Sequence, residues 1–310
     1  MEQDRICVVV RGGGDIATGT IHRLWNAGYR VVILETEKPS AIRRQVALCE
    51  AVYDGESTVE GATAQIIKKT NIETINIKKI NIETTNIETT NIEKIDIENK
   101  CVEEIKGLWS QNKIPLIIDP QGQFIKMIKP SVVVDAILAK KNLGMYKGMA
   151  PLTIGLGPGF VAGEDVDVVI ETMRGNTLGD IIEEGSAIAN TGIPGKVGGY
   201  TKERVIHAKE TGIIHAISQI GDRVEQGQCI AKIEHTNPEN ESSFIEVYAT
   251  ITGVLRGLIR EGFMVKKGCK IADIDPRIEE EIACDKISDK AHCIAESVLQ
   301  VIKKYQEQKC

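Results

Sequence analysis

Three consecutive glycines, Gly12, Gly13 and Gly14, stand between a short apolar run from Ile6 to Val10 and a stretch with Ile16, Ala17, Ile21, Leu24 and Trp25 at helical spacing. After Gly28 a second apolar run, Val31 to Leu34, ends in the carboxylate of Glu35. Strand, glycine turn, helix and strand within about 30 residues is the unit that binds dinucleotides. Gly12-x-Gly14-x-x-Ala17 follows the relaxed form of that fingerprint. The first glycine permits the tight turn and the second lets backbone approach a phosphate. The small third residue lets helix and strand pack closely. Glu35, about twenty residues on, stands where a carboxylate accepts hydrogen bonds from a ribose diol. These spacings make Gly12, Gly14, Ala17 and Glu35 the candidate cofactor-binding residues, for NAD or another nucleotide. Asp15 opposes a phosphate at the helix N-terminus, and Arg11 either offsets it or pairs with it. A scaffold of the same shape that binds no nucleotide stays open.

Arg43 and Arg44 follow the second run, and two adjacent guanidiniums can hold an oxyanion bidentately or pair with surface carboxylates. They are the anion-binding candidates. Eight scattered cysteines without a C-x-x-C pair, and five dispersed histidines, offer no zinc spacing, so no metal site is expected. Glu164, Asp165 and Asp167 read as the polar face of a strand.

The elements that must position these groups come from a chain of 310 residues, 42% hydrophobic and 26% charged, with a largely aliphatic core since aromatics are only 4%. The net charge of −6 argues against a nucleic-acid partner and against a polybasic membrane contact. No run of apolar residues is long enough to span a bilayer, and the acidic start is unlike a secretory signal, so a cytoplasmic location with reduced thiols is expected.

The fold class expected is α/β, with an N-terminal Rossmann-like βαβ domain over 1–150. It contains a low-complexity insertion at 70–99, six tandem five-residue copies around Asn-Ile-Glu. Helical character is expected on both flanks of the insertion, at 56–69 and from Cys101. Ile114 to Ile118 reads as a buried strand. Pro130 to Asn142 reads as a helix capped by Ser131. A glycine-rich β region covers 151–204. At 205–277 the chain repeats itself at an offset of 41: Gly212 meets Gly253, Gly221 meets Gly262, Val224 meets Val265, Gly227 meets Gly268 and Ile233 meets Ile274. A helical tail fills 278–310, with Ser288 as N-cap.

The repeat resembles the barrel-sandwich hybrid of biotinyl and lipoyl carrier domains, although the stretch between its halves, Glu234-HTNPENESSF, holds no biotin or lipoyl attachment lysine. More broadly, VVVRGGGDIATGTIHRLWNAGYRVVILETEKPSAIRRQVA, AVYDGESTVEG, LIIDP, LTIGLGPGFVAGEDVDVVIETMRG and GVLRGLIREGFMVKKGCKIADIDPR together resemble the selenium-dependent molybdenum hydroxylase accessory proteins. That resemblance implies a maturation factor for hydroxylases of the xanthine dehydrogenase type, whose partners are the hydroxylase apoprotein or other maturation factors. The alternative is an NAD-dependent oxidoreductase. No Tyr-x-x-x-Lys, His-Asp pair or Ser-His-Asp set is placed to move a hydride or proton, which favours a protein that is not a stand-alone enzyme.

The tract at 70–99 repeats with a five-residue period that fits neither helix nor strand, and loop entropy changes slowly with length. Deleting it and rejoining the ends with a few Gly and Ser should therefore move stability by about 1 kcal/mol or less. A thermal melt checks this; loss of the cooperative transition would show the tract to be part of the domain.

Overall fold

The computed structural model describes residues 6–67, 100–236, 242–277 and 282–309. The tract at 70–99 lies outside the described residues. The chain forms two compact units, one of Met1–Pro39, Leu48–Ile188 and Ser288–Cys310, the other of Ser40–Ala47 and Ala189–Ile287. These bounds differ from the four consecutive segments expected. Residues 151–188 extend the first unit's sheet, the C-terminal helix belongs to that unit, and Ser40–Ala47 belongs to the second.

The first unit is built on nine strands: β1 (Cys7–Arg11), β2 (Arg30–Glu35), β3 (Glu56–Val59), β4 (Ala62–Ile66), β5 (Ile114–Ile118), β6 (Val132–Asp135), β7 (Leu152–Leu156), β8 (Val168–Ile170) and β9 (Ile181–Ile182). Their order across the sheet is β3-β4-β5-β2-β1-β6-β7-β8-β9, and β4 through β8 run parallel. From β1 the chain proceeds outward through β2 to β5, then returns to the other side of β1 at β6. That reversal makes the carboxyl ends of β1 and β6 the topological switch point, the place where open α/β sheets bind ligands. The central strands are runs of Val, Ile and Leu because both faces are covered.

Two local expectations fail here for visible reasons. Residues 132–135 are strand, not helix: Val132, Val133 and Val134 are β-branched, fully buried, and in register with Val8, Val9 and Val10. Burial on two faces removes the alternation that would have marked a strand. Residues 56–66 form the β3–β4 hairpin instead of a helix. Glu60 and Gly61 both take positive φ, 47° and 87°, the two-residue turn that matches strand twist.

Helix α1 (Asp15–Asn26) buries Ile16, Ala17, Ile21 and Leu24, and α2 (100–110) lays Cys101, Ile105 and Leu108 in one core with Val9, Val32, Ile117 and Val133. The last helix, α3 (Asp289–Glu307), is capped by the Ser288 hydroxyl, which accepts the Ala291 N–H. It crosses α1 so closely that a Cβ on Gly19 would stand 2.7 Å from the Cβ of Ala291. No helix among the described residues is long and apolar enough to cross a membrane.

At the carboxyl end of the central strand the Arg11 guanidinium is 1% exposed. It donates to Asp135 Oδ2 at 2.8 Å, to the Leu143 carbonyl at 2.9 Å and to the Pro120 carbonyl at 3.3 Å. Arg11 therefore pairs with Asp135, on the neighbouring strand. Burial pushes the Asp135 carboxyl up, and the charge of Arg11 pulls it back down.

The second unit realises the internal repeat as two four-stranded antiparallel sheets. β11 (Gly212–Ala216), β12 (Arg223–Val224) and β13 (Cys229–Thr236) correspond to β15 (Gly253–Leu258), β16 (Met264–Val265) and β17 (Lys270–Asp275). With β10 (Val205–His207) and β14 (Ser242–Tyr248), the sheets are β10-β17-β15-β12 and β14-β13-β11-β16. Each copy lends its short second strand to the other copy's sheet, so the halves interlock. Ile214, Val224, Ile230 and Ile233 share one core with their counterparts Leu255, Val265, Ile271 and Ile274. The matched Gly212 and Gly253 have one reason between them: a Cβ on either would overlap the carbonyl oxygen of Glu234 or Asp275. On the solvent side His215 lies between Glu234, 3.1 Å from Nε2, and Glu261, 3.0 Å from Nδ1.

Replacing Arg11 by Met should destabilise the first unit by about 3–5 kcal/mol, because Asp135 is left as a buried charge without its partner. The carboxyl pKa then rises further, so stability falls as pH increases and the deficit is smaller at pH 5 than at pH 8. Urea melts at both pH values check this. His215 should titrate above 6.5, held up first by its hydrogen bond to Glu234 and then by Glu261. The stabilisation is present below the unfolded value and lost as pH rises through the raised one. NMR titration should place the imidazole near its ordinary value in Glu234→Gln/Glu261→Gln.

Candidate functional site

The loop at the reversal point is shaped by its neighbours, glycine by glycine. Gly12 has φ +95°, donates to the Leu34 carbonyl at 2.8 Å, and would place a Cβ 3.1 Å from the Ala136 carbonyl. Gly13 would place one 3.0 Å from the Cys49 backbone nitrogen. Its carbonyl accepts the Cys49 N–H at 2.9 Å and the Thr18 hydroxyl at 3.2 Å. The fold itself therefore needs these two glycines. Gly14 is different. Its φ of −67° suits any residue, and a Cβ there would meet no heavy atom within 4 Å. It is the N-cap of α1, whose first turn no side chain caps. Ala17, one turn on, is buried at 1% exposure, as close helix–strand packing requires.

Glu35 ends β2 and turns its carboxylate toward this loop. Oε2 accepts the Gly13 N–H and Oε1 the Thr36 N–H, both at 2.7 Å. A carboxylate offers about four lone-pair directions, so two remain for a diol. Burial raises the Glu35 carboxyl, and the two backbone hydrogen bonds bring it partly back. The nearby Cys49 thiol is pushed well above its ordinary value by burial, then by the charges of Glu35, Glu50 and Asp15. It stays protonated and is no nucleophile. The surroundings of the loop are acidic.

Gly12, Gly14, Ala17 and Glu35 are thus brought together. Arg43 and Arg44 belong to the second unit. There Arg43 donates to the Lys286 carbonyl at 3.2 Å, and Arg44 Nε to the Leu258 carbonyl at 2.8 Å. Ile42 in the same segment accepts the Leu258 N–H at 2.8 Å. Among the described residues no three His, Cys, Asp or Glu side chains gather as metal ligands.

Sequence reasoning missed the carboxylates that end the other parallel strands. Asp119 follows β5 and accepts the Phe124 N–H at 2.7 Å; Asp135 ends β6 and also accepts the Ile137 N–H at 3.1 Å. Glu171 follows β8, is 2% exposed, and accepts three N–H groups, from Thr172, Met173 and Ile188, at 2.6, 2.6 and 2.7 Å. Each ties down the loop behind its own strand. The signal was present as a recurring phrase, an apolar run closed by an acid, in VVILE, PLIID, VVVD and VVIE.

No protein-family model matches the chain. A curated Escherichia coli (strain K12) protein, the uncharacterized protein YqeB, is 42% identical over 296 residues, covering 95% of this chain and 47% of that protein. The chain thus spans about half the length of the curated relative it matches. Solved structures returned by comparison include the apo form of the ectoine utilization protein EutE (DoeB) from Ruegeria pomeroyi, at 10% identity over 87% of this chain and 86% of that one, with a TM-score of 0.23. An aspartoacylase family protein from Mesorhizobium loti is 11% identical over 87% and 85%, with a TM-score of 0.27. These findings correct the earlier expectations. No family model matches and the curated relative is itself uncharacterized, so the selenium-dependent molybdenum hydroxylase accessory family, the maturation role and the NAD-dependent oxidoreductase alternative are set aside. The barrel-sandwich-hybrid assignment is set aside as well, and the fold is α/β overall.

Proposed function

We propose that the first unit binds a ribonucleotide at the carboxyl end of its parallel sheet, the diol on Glu35 and a phosphate at the start of α1. Gly14 carries this reading. Gly12 and Gly13 are demanded by Ala136 and Cys49, whereas nothing in the fold demands Gly14. A glycine without an internal reason, at an uncapped helix N-terminus and opposite a carboxylate with free lone pairs, is space kept for a ligand's approach. The acidic groups around Cys49 favour a ligand with one phosphate over a polyphosphate. A cytoplasmic location is part of the same reading, supported by seven described cysteines, none of which is paired.

The test is a thermal-shift panel of adenosine, AMP, NAD and ATP with their guanine counterparts. A ligand at 100 times its Kd stabilises by about 2.7 kcal/mol, enough to move the transition by several degrees. Gly14→Leu should stay folded, losing about 1 kcal/mol at most from the poorer N-cap, and lose the shift, since the new side chain meets only the ligand's space. If no nucleotide shifts the wild-type melt, the reading is wrong.

A further inference from the structure

The opposite edge of the nine-stranded sheet holds a cleft of about 560 Å³, within the range of about 300–1,000 Å³ usual for small-ligand sites. It lies at the amino ends of the strands: Pro130 closely precedes β6, Pro151 directly precedes β7, and Asp167 directly precedes β8. Because these strands run parallel with β1, this edge is remote from the glycine loop. Three lysines line the cleft, Lys126 and Lys129 from the turn before β6 and Lys147 from the loop before β7. All three are exposed. Neither Lys126 nor Lys129 has an acidic partner among the described residues, and Lys147 stands 3.8 Å from Asp167. The other oxygen of Asp167 is already engaged, accepting the Thr153 N–H at 2.8 Å and its hydroxyl at 2.7 Å. Lys129 holds a left-handed backbone, φ 48° and ψ 58°, a conformation seldom taken by residues other than glycine and asparagine. Ile125, 2% exposed, and the half-buried Met149 also line the cleft.

Three lysines beside one committed carboxylate make the lining of the cleft basic on a chain whose net charge is −6. An anion with several charges can engage more than one lysine, and the half-buried Met149 offers apolar contact to a ligand with a carbon skeleton. We infer that this cleft binds a small organic oxyanion with two or more negative charges, a phosphate ester or a polycarboxylate. The site is separate from the one at the glycine loop and does not depend on it.

Calorimetric titration of the full chain with pyrophosphate, citrate and acetate, at constant ionic strength, tests the inference. Pyrophosphate or citrate should bind, acetate should not, and affinity should fall as sodium chloride is raised. Stronger binding of pyrophosphate assigns a phosphate ligand, and stronger binding of citrate a polycarboxylate. Lys126→Gln/Lys147→Gln should weaken binding about tenfold with an unchanged melt, as expected for exposed charges. No binding by the wild type, or undiminished binding by the double lysine variant, would overturn the proposal.

Discussion

The ion pair between Arg11 and Asp135 holds the centre of the first unit. It joins the carboxyl ends of β1 and β6, the two strands that flank the point where the chain changes direction across the sheet. The same guanidinium reaches the Pro120 and Leu143 carbonyls, which lie on the segments after β5 and β6. One side chain thus fixes three segments at the edge where a ligand would sit. A buried pair of this kind gives little net stability against a hydrophobic substitute, but removing one partner strands the other in a medium of low dielectric. Its value lies in specifying how those loops are arranged.

Around that pair, the ends of β2, β5 and β8 use the same device without a cation. Glu35, Asp119 and Glu171 accept backbone N–H groups from their own or adjoining loops. Loop backbone that leaves a parallel sheet carries donors with no strand to pair with, and a carboxylate satisfies two or three of them at once. The cost is electrostatic. The edge is acidic, the Glu35 carboxyl is raised by burial, and the Cys49 thiol is held protonated. An edge so arranged commits its carboxylates to its own loops.

The second unit follows a different principle. Two copies of one sequence, offset by 41 residues, exchange their short strands, so neither half has a complete sheet without the other. The segment Ser40–Ala47 joins this unit through backbone and guanidinium bonds to Leu258. Arg44 thereby commits its Nε–H to the backbone of the repeat.

Much was legible in one dimension. Gly12, Gly14, Ala17 and Glu35 sit within 24 residues, and local spacing alone brought them together, because a glycine turn between strand and helix is a local structure. The repeat was legible as well, since its matched glycines and aliphatics answer to steric demands that recur in each copy. Helix α3 and its Ser288 cap follow from local periodicity and capping chemistry. What remained hidden depended on partners far along the chain. Val132 to Val134 form a strand because Val8 to Val10 pair with them, some 124 residues away in sequence. Arg11 has its role only through Asp135, and Arg43 and Arg44 find backbone partners at Lys286 and Leu258. The sequence by itself determined the local units and the composition of their cores, through turn sterics and periodic burial. Only the tertiary structure decided which charges meet, because a charge's role depends on the partner that burial brings within hydrogen-bonding distance.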